Sequence, residues 1–503
     1  MSIRGNKRSQ ADTQNARTAS PRPEDHRQPP FLTLAYGFQH VLTMYAGLVA
    51  VPLIVGQAAN LSDANTAFLI TAAFFMGGLI TLLQTLGLPF IGSQLPLMQG
   101  VSFDTVAIMT AIVSATGGLQ AVFGAVLVAS IFGFLFAPVI SKALRFFPPV
   151  VTGSLITVIG LSLLPVTINW TMGGDSAAAD YGSLSNIGLG AITLAIGLVL
   201  SKFKSGVISR LAILLAIVAG TVIALPLGKA DFSGVASSTV FAFPTPLHFG
   251  MPTFHLSAIV SMIIGILVIL TETTADILAL REIVGTKVDN KRFTAGLRAD
   301  MASGIIAPFF GSFPQSAFAQ NIGLVAVTGV KSRFVVATAG GILVILGLFP
   351  ILGRIVTAIP SAVLGGAGFL LFGSVAASGI RMLADVDYRH NMNLIIVAVT
   401  ISVGIIPAAA PDFYAQFPSW FQTIASSGIS SAAIVAVSLN ILFNHIHLGT
   451  PEEPSVFAAA GTGRQLSPGV SAALKHGDHV INGQIIDAKG NEVPVVKHNS
   501  HPS

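Results

Sequence analysis

Cysteine is absent from this chain of 503 residues, so neither a disulfide framework nor a thiolate metal site is available, and thiol chemistry is excluded. Charge is scarce as well. Asp, Glu, Lys and Arg make up only 9% of the residues, against roughly 25% in soluble domains. What fills the chain instead is apolar, 52% of it, with a mean hydropathy of +0.78. That composition describes an all-α polytopic membrane protein. The formal net charge of +5 does not imply nucleic acid. The basic residues sit in short joints between apolar runs, which is the positive-inside pattern. Residues 1–30 are polar and lack an apolar stretch with a cleavage site, so they read as a disordered cytosolic tail and not as a signal peptide.

A hydrocarbon core about 30 Å thick takes about 20 apolar residues per helix. Fourteen runs of that kind, several of them short, lie between Phe31 and Phe443. With the Arg-rich N-terminus inside, the inner joints hold Lys142, Arg145, Lys202, Lys204, Arg210, Arg281, Lys287, Lys291, Arg292, Arg298, Lys331, Arg333, Arg381 and Arg389. The outer joints hold only Lys229 and Arg354. Fourteen spans with both termini cytoplasmic fit this asymmetry, and one span more or fewer would spoil it.

An internal repeat is visible at a shift of 212 residues, pairing Pro138 with Pro350, Lys142 with Arg354, Pro148 with Pro360, Val151 with Val363 and Gly153 with Gly365. A unit of seven spans is odd, so the second copy enters from the opposite side and the repeats are inverted, which favours a transporter. Short Gly/Pro-interrupted spans at corresponding places point to a midplane site. They are the third span, GSQLPLMQGVSFDTV from Gly92 to Val106, and the tenth, GSFPQSAFAQNIG from Gly311 to Gly323. Each reads as a short extended segment entering a half-helix whose free N–H groups and positive dipole end face a ligand. After the last span, residues 447–503 turn polar and read as a weakly structured cytosolic extension without an assigned role.

Within the apolar runs, the ionisable residues carry the functional reading. Glu272 ends about sixteen nearly unbroken apolar residues, and Asp276 follows one helical turn on, on the same face. Two carboxylates so placed in a dry site let one of them hold a proton near neutral pH, as a proton-coupled site requires. The competing reading is a buried carboxylate bonded to Thr273 or Thr274. Asp300, opening the ninth span, is either a bundle-facing proton or stability site or a helix-entry acid. Asp104 in the third span is of the same kind. Gln39 and His40 place an amide and an imidazole in the first span, and we read His40 as orienting the two interrupted spans. Gln320 and Asn321 offer amide donors and acceptors. A Gln amide makes paired contacts to the edge of a planar heterocycle, and Phe103, next to Ser102, is placed either to stack on the ring face or to pack in the core. Glu272, Gln320 and an aromatic lid together would define a nucleobase site.

The chain resembles the nucleobase/ascorbate transporter family, nucleobase:cation symporter-2, over essentially all of residues 31–443. The family's tenth-span motif, Gln/Glu/Pro-Asn-x-Gly-x4-Thr, is matched by Gln320, Asn321, Gly323 and Thr328. The Gln39-His40 pair and the stretch from Thr271 to Asp276 are further family marks. The resemblance implies a fourteen-span fold of two inverted seven-span repeats divided between a core and a gate domain. The core would comprise 31–145 (spans one to four) and 255–357 (spans eight to eleven), and the gate 146–228 (spans five to seven) and 358–446 (spans twelve to fourteen). It implies that Glu272 and Gln320 bind the base, with Ala319, Phe103, Ser102 and Asn321 completing the pocket. Glu272, Asp276 and Asp300 are then the proton-coupling candidates, and Gln39, His40, Gly323 and Thr328 orient the site. It further implies protons as co-substrate without cofactor or metal, a homodimer, and a place in the plasma (inner) membrane.

Uracil members carry Glu at the first motif position and Arg after the Thr, whereas this chain has Gln320 and Gly329, like the xanthine and uric acid permease group. Ascorbate members carry Pro at the first position. The expected function is therefore proton-coupled import of xanthine or uric acid, with a uracil or broader nucleobase symporter as the alternative. An anion exchanger or channel on a related fold is the alternative of another class. It would want a fixed cation near the half-helix ends, and none lies within Gly92–Val106 or Gly311–Val330. An enzyme is disfavoured, because the His residues are scattered and no nucleophile–base cluster is legible.

Overall fold

The computed structural model of the protein describes residues 22–143, 148–203, 206–235, 239–388 and 392–446, together with 479–481, 484–486 and 492–493. Helices dominate because a chain crossing hydrocarbon must satisfy its backbone internally. They are α1 (Pro30–Ala58), α2 (Asp63–Leu86), α3 (Val106–Thr116), α4 (Leu119–Ala143), α5 (Pro149–Ser162), α6 (Leu164–Thr171), α7 (Leu184–Ser201) and α8 (Ala212–Ala224). After these come α9 (Leu256–Val284), α10 (Asn290–Ile306), α11 (Ala319–Thr328), α12 (Arg333–Leu346), α13 (Pro350–Thr357), α14 (Ser361–Ala384), α15 (Met392–Ala409), α16 (Ser419–Ala425) and α17 (Gly428–Asn440). Two strands, β1 (Gln99–Val101) and β2 (Gln315–Ala317), precede α3 and α11.

Among the described residues, nine helices are long and apolar enough to cross a membrane, and the bent pair α12–α13 makes a tenth span. α3, α8 and α11 are apolar but shorter. Two of the expected spans are interrupted. The fifth has a one-residue break at Leu163, ahead of Pro165, between α5 and α6, which together still make one span. The eleventh, expected as one rod over 334–355, turns by 81° between α12 and α13. A proline stands at each break. It lacks the N–H that would continue the ladder, and in the eleventh span Pro350 opens α13 after the Gly347 cap of α12.

The helices pack in two sets. In one, α12 lies along α2 and α1, and α4 packs against both α9 and α10. In the other, α14 contacts α5, α6 and α7, α8 packs on α7, and α17 on α5. Small residues permit these approaches, as expected where lipid supplies no hydrophobic drive between helices. A Cβ on Gly160 of α5, for example, would stand 2.3 Å from the Ala376 backbone nitrogen of α14.

The chain divides into two compact units, the helical one and a second formed by Tyr388–Ile395 with His447–Ser503. Within the second, His479–Ile481, Gln484–Ile486 and Glu492–Val493 form a three-stranded antiparallel sheet, with Val480 opposite Ile485. The rest of the expected polar extension over 447–503 lies outside the described residues.

The tail at the N-terminus departs from expectation. Residues 1–21 lie outside the described residues, but 22–30 are ordered, with a 3-10 turn at Pro23–Asp25. The order comes from charge pairing. Glu24, fully buried, binds Arg292 at 2.5 Å, and Asp25 binds Arg333 at 2.6 Å.

Candidate substrate site

The site is built on the two interrupted spans. β1 and β2 pair antiparallel, Gln99 opposite Ala317, Gly100 opposite Ser316 and Val101 opposite Gln315. The ladder extends at both ends: the Ser102 N–H donates to the Pro314 carbonyl at 3.0 Å, and the Phe318 N–H to that of Met98 at 3.0 Å. Extended backbone at membrane depth is tolerated only when its polar groups find such partners. Side chains complete the accounting. The Gln99 N–H donates to Thr81 Oγ1 at 2.9 Å, and the Gln315 N–H to Ser303 Oγ at 2.8 Å. Gly47 and Gly100 make room for the Phe318 ring, since a Cβ on Gly100 would stand 2.5 Å from Phe318 Cε2 and one on Gly47 2.8 Å from Cε1.

From this crossing the half-helices α3 and α11 run on. At the start of α3 the Val106 N–H already turns back to the Phe103 carbonyl at 3.1 Å, and in α11 the Asn321 N–H turns back to that of Phe318 at 2.9 Å, so the N–H groups of Ala319 and Gln320, ahead of that bond, are the ones placed to meet a ligand. Ala319 and Gln320, the first residues of α11, are exposed. Gln320 lines a cavity of about 200 Å³ with Thr43, Gly47, Arg210, Phe318 and Ser374. This is below the roughly 300–1,000 Å³ of drug-sized pockets and suits a small planar ligand. Phe103 lies 6.0 Å from Phe318, centroid to centroid, and meets Phe372 of α14 edge-on at 5.9 Å. A larger cavity of about 1300 Å³ runs along α3 from Ala107 to Thr116, closed on its other side by α15 and α16 residues such as Gly404, Pro407 and Gln422.

The acids converge from three elements. Glu272 and Asp276 project from α9, Asp300 from α10, and Asp104 from the turn entering α3. Asp104, Asp276 and Asp300 are buried, and Glu272 is partly exposed. Asp300 accepts a 2.5 Å hydrogen bond from the Thr273 hydroxyl. The carboxyl of Asp104 stands within hydrogen-bond reach of Glu272 and of Ser102. No ion pair among the described residues engages any of the four. One oxygen each of Asp104, Asp276 and Asp300 and both amide atoms of Gln99 have no hydrogen-bond partner among the described residues. Buried polar atoms left so are costly unless a ligand, proton or water meets them.

The remaining expected residues fall into supporting places. Asn321 is buried, and its amide nitrogen donates to His40 Nδ1 and to the His40 carbonyl, both at 3.0 Å. Its N–H donors are thereby tied to His40, while its Oδ1 is buried without a partner among the described residues. That bond ties α1 to the start of α11. Gln39, half-buried, accepts from Thr43 through its carbonyl at 2.8 Å. Ser102 accepts the Asp104 N–H at 3.2 Å, a local turn ahead of α3. Thr328 donates to the Leu324 carbonyl and accepts from the Val330 N–H, closing α11. Gly323 borders open space. Two residues are underweighted or missed in the sequence: Asp104, which meets Glu272, and Arg210, which shares a cavity with Gln320. Sequence spacing holds no sign of either, because both contacts join distant spans.

Comparisons with known proteins agree in fold and family. The chain superposes on the transmembrane domain of the cyanobacterial bicarbonate transporter BicA, with a TM-score of 0.52, 17% identity, and 82% of this chain and 99% of that one covered. The anion transporter Slc26a9 of mouse, in its inward-facing state, gives a TM-score of 0.54 at 11% identity, covering 86% of this chain and 74% of that one. In sequence the chain is 40% identical to the uric acid permease PucJ of Bacillus subtilis, covering 82% of this chain and 93% of the relative. The xanthine permease of the same bacterium is also 40% identical, covering 82% and 94%, and the uric acid transporter UacT of Escherichia coli 40% identical, covering 82% and 86%. A family described as "Permease family" matches residues 31–413, so the chain, a multi-pass membrane transporter and not an enzyme, belongs to this family of nucleobase/ascorbate permeases.

Proposed function

We propose that the protein is a proton-coupled symporter that imports an oxidised purine base, xanthine or uric acid, across the plasma membrane. The observation that carries this reading is the meeting of two half-helix N-termini at paired strands, with Gln320 on one and the Glu272 carboxylate beside the other. An amide edge and a carboxylate complement the N–H and C=O groups around an oxidised purine. The relatives named for uric acid and xanthine support the same substrate class.

In this reading the fourteen spans form two inverted seven-span repeats, both termini are cytoplasmic, and protomers pair as a homodimer. The α1–α4 and α9–α13 set is the core and the α5–α8 and α14–α17 set the gate, a division supported by packing that is closer within each set than between them. The base sits between α3 and α11, and movement of core against gate alternates access. A proton on Glu272, Asp276 or Asp300 couples entry to the gradient.

Uptake of radiolabelled xanthine and uric acid in sodium-free medium, with and without an uncoupler, tests the function. Uncoupler-sensitive accumulation is expected; sodium-dependent uptake would replace the coupling ion, and competition by uracil alone would remove the purine. The fold is shared with bicarbonate and SLC26 transporters, so chloride- or bicarbonate-driven exchange without purine uptake would favour an anion exchanger.

A further inference from the structure

Asp104 has surroundings that the proposed function leaves unexplained. It lies in the turn between β1 and α3, 1% exposed, with its N–H on Ser102 Oγ, one oxygen without a partner, and its carboxyl against that of Glu272. The other titratable groups facing this pair are also acids, Asp276 on α9 and Asp300 on α10. From α1 come His40, engaged with Asn321, and Tyr45, packed on Phe74. The described part of α4 facing α3, and all of α16 and α17, bring no titratable side chain. Gln99, fully buried on β1, lies with its side-chain amide beside Asp300.

Two carboxyls in contact, with no cation beside them, do not both ionise; one proton between them turns repulsion into a hydrogen bond. We infer that Asp104 is the proton-holding partner of Glu272, a positioning residue whose O–H fixes Glu272 with its second oxygen free to accept a ring N–H of the base. The inference rests on the purine-symport reading and specifies one device within it. The proton comes from water on the side of entry, resides between the two carboxyls while the base is bound, and returns to water on the side of release. No bond other than O–H is made or broken. Proton and base therefore favour each other's binding, and by linkage the effect is reciprocal.

The sign follows: base affinity is highest at low pH and falls as the pair loses its shared proton. Asp104→Asn places a permanent amide donor against Glu272. Its xanthine affinity, measured on purified protein across pH, is expected to lose the pH dependence, and uphill accumulation in proteoliposomes to fall at least tenfold, while exchange of labelled for unlabelled base outlasts the change. Asp104→Glu, which keeps the carboxyl, is expected to restore the pH profile. A wild-type pH slope together with uphill accumulation in Asp104→Asn overturns the inference. Should Asp104→Asn not fold, proton uptake on adding xanthine to the wild-type protein in weak buffer decides. About one proton per base at the pH where affinity is falling supports the pair, and none at any pH overturns it. If the wild type binds neither xanthine nor uric acid, the functional reading itself fails and takes the inference with it; if it binds them and Asp104→Asn behaves as wild type, only the inference fails.

Discussion

Arg292 joins the N-terminal segment to the strand crossing: Nη2 binds Glu24 at 2.5 Å and the Gln94 carbonyl at 2.8 Å, while Nε donates to the Ser93 carbonyl at 2.5 Å. Ser93 and Gln94 begin the extended segment that becomes β1. The Thr286 hydroxyl donates to the same Glu24 oxygen at 3.1 Å. Residues ahead of the first span thus hold the entrance to the third.

Glu24→Ala leaves the Arg292 guanidinium largely buried without its counter-ion. Removing one partner of a buried pair costs about 3–5 kcal/mol. A clear drop in the apparent melting temperature of the detergent-solubilised protein is expected, and Glu24→Gln should recover part of it through a neutral hydrogen bond. An unchanged melting temperature in both variants would show that the segment does not brace the fold.

Gln320→Glu replaces an amide that donates and accepts with a group that only accepts when ionised. If Gln320 reads the edge of the ring, the loss is about 1–3 kcal/mol, on the order of tenfold or more in apparent xanthine affinity. Competition binding measures it, and unchanged affinity would remove Gln320 from the recognition of the base.

Arg210 stands in the cavity with Gln320, and a guanidinium is a permanent cation. Uric acid loses a proton more readily than xanthine and presents more negative charge. Arg210→Gln is expected to weaken uric acid by about 0.2–1 kcal/mol, the range of a solvated ion pair, with a smaller effect on xanthine. Paired inhibition constants for the two bases provide the comparison; equal effects would mean that Arg210 does not select by charge.

Outside the membrane, Lys229 donates to Asp180 at 2.9 Å, and this hydrogen bond together with its charge holds the Asp180 carboxyl below the usual range. A lowered carboxyl adds stability above its unfolded value of about 3.9 and loses it as the pH falls through the folded value. The contribution is small, because Asp180 is well exposed. Lys229→Gln is therefore expected to flatten the acid end of a melting-temperature profile below about pH 4, leaving the neutral region little changed. A steeper acid limb in the variant would contradict the pairing.

The broad plan was legible in the chain. Long apolar runs, scarce charge and basic joints all report locally on the solvent each segment meets, so the membrane class, the helices and the two interrupted segments at Gly92 and Gly311 could be read directly. Single residues were harder to place. Glu272 stood out because a mid-membrane acid is costly wherever it points, but Asp104 looked like one acid among several until α3 and α9 were brought side by side. Asn321 offered both donors and an acceptor in the sequence, and only the position of α1 showed that His40 takes its N–H donors.

The sequence by itself determined that this protein lives in a bilayer, that two spans are broken, and that carboxylates and amides lie within them. Those conclusions follow from residue-by-residue hydropathy and from the backbone's demand for partners. The tertiary structure alone decided how the two broken spans pair residue by residue, that Glu24 clasps Arg292, and that Asp104 faces Glu272. Each of these contacts joins segments far apart in the chain, and their approach is set by packing among many helices, which no local pattern encodes.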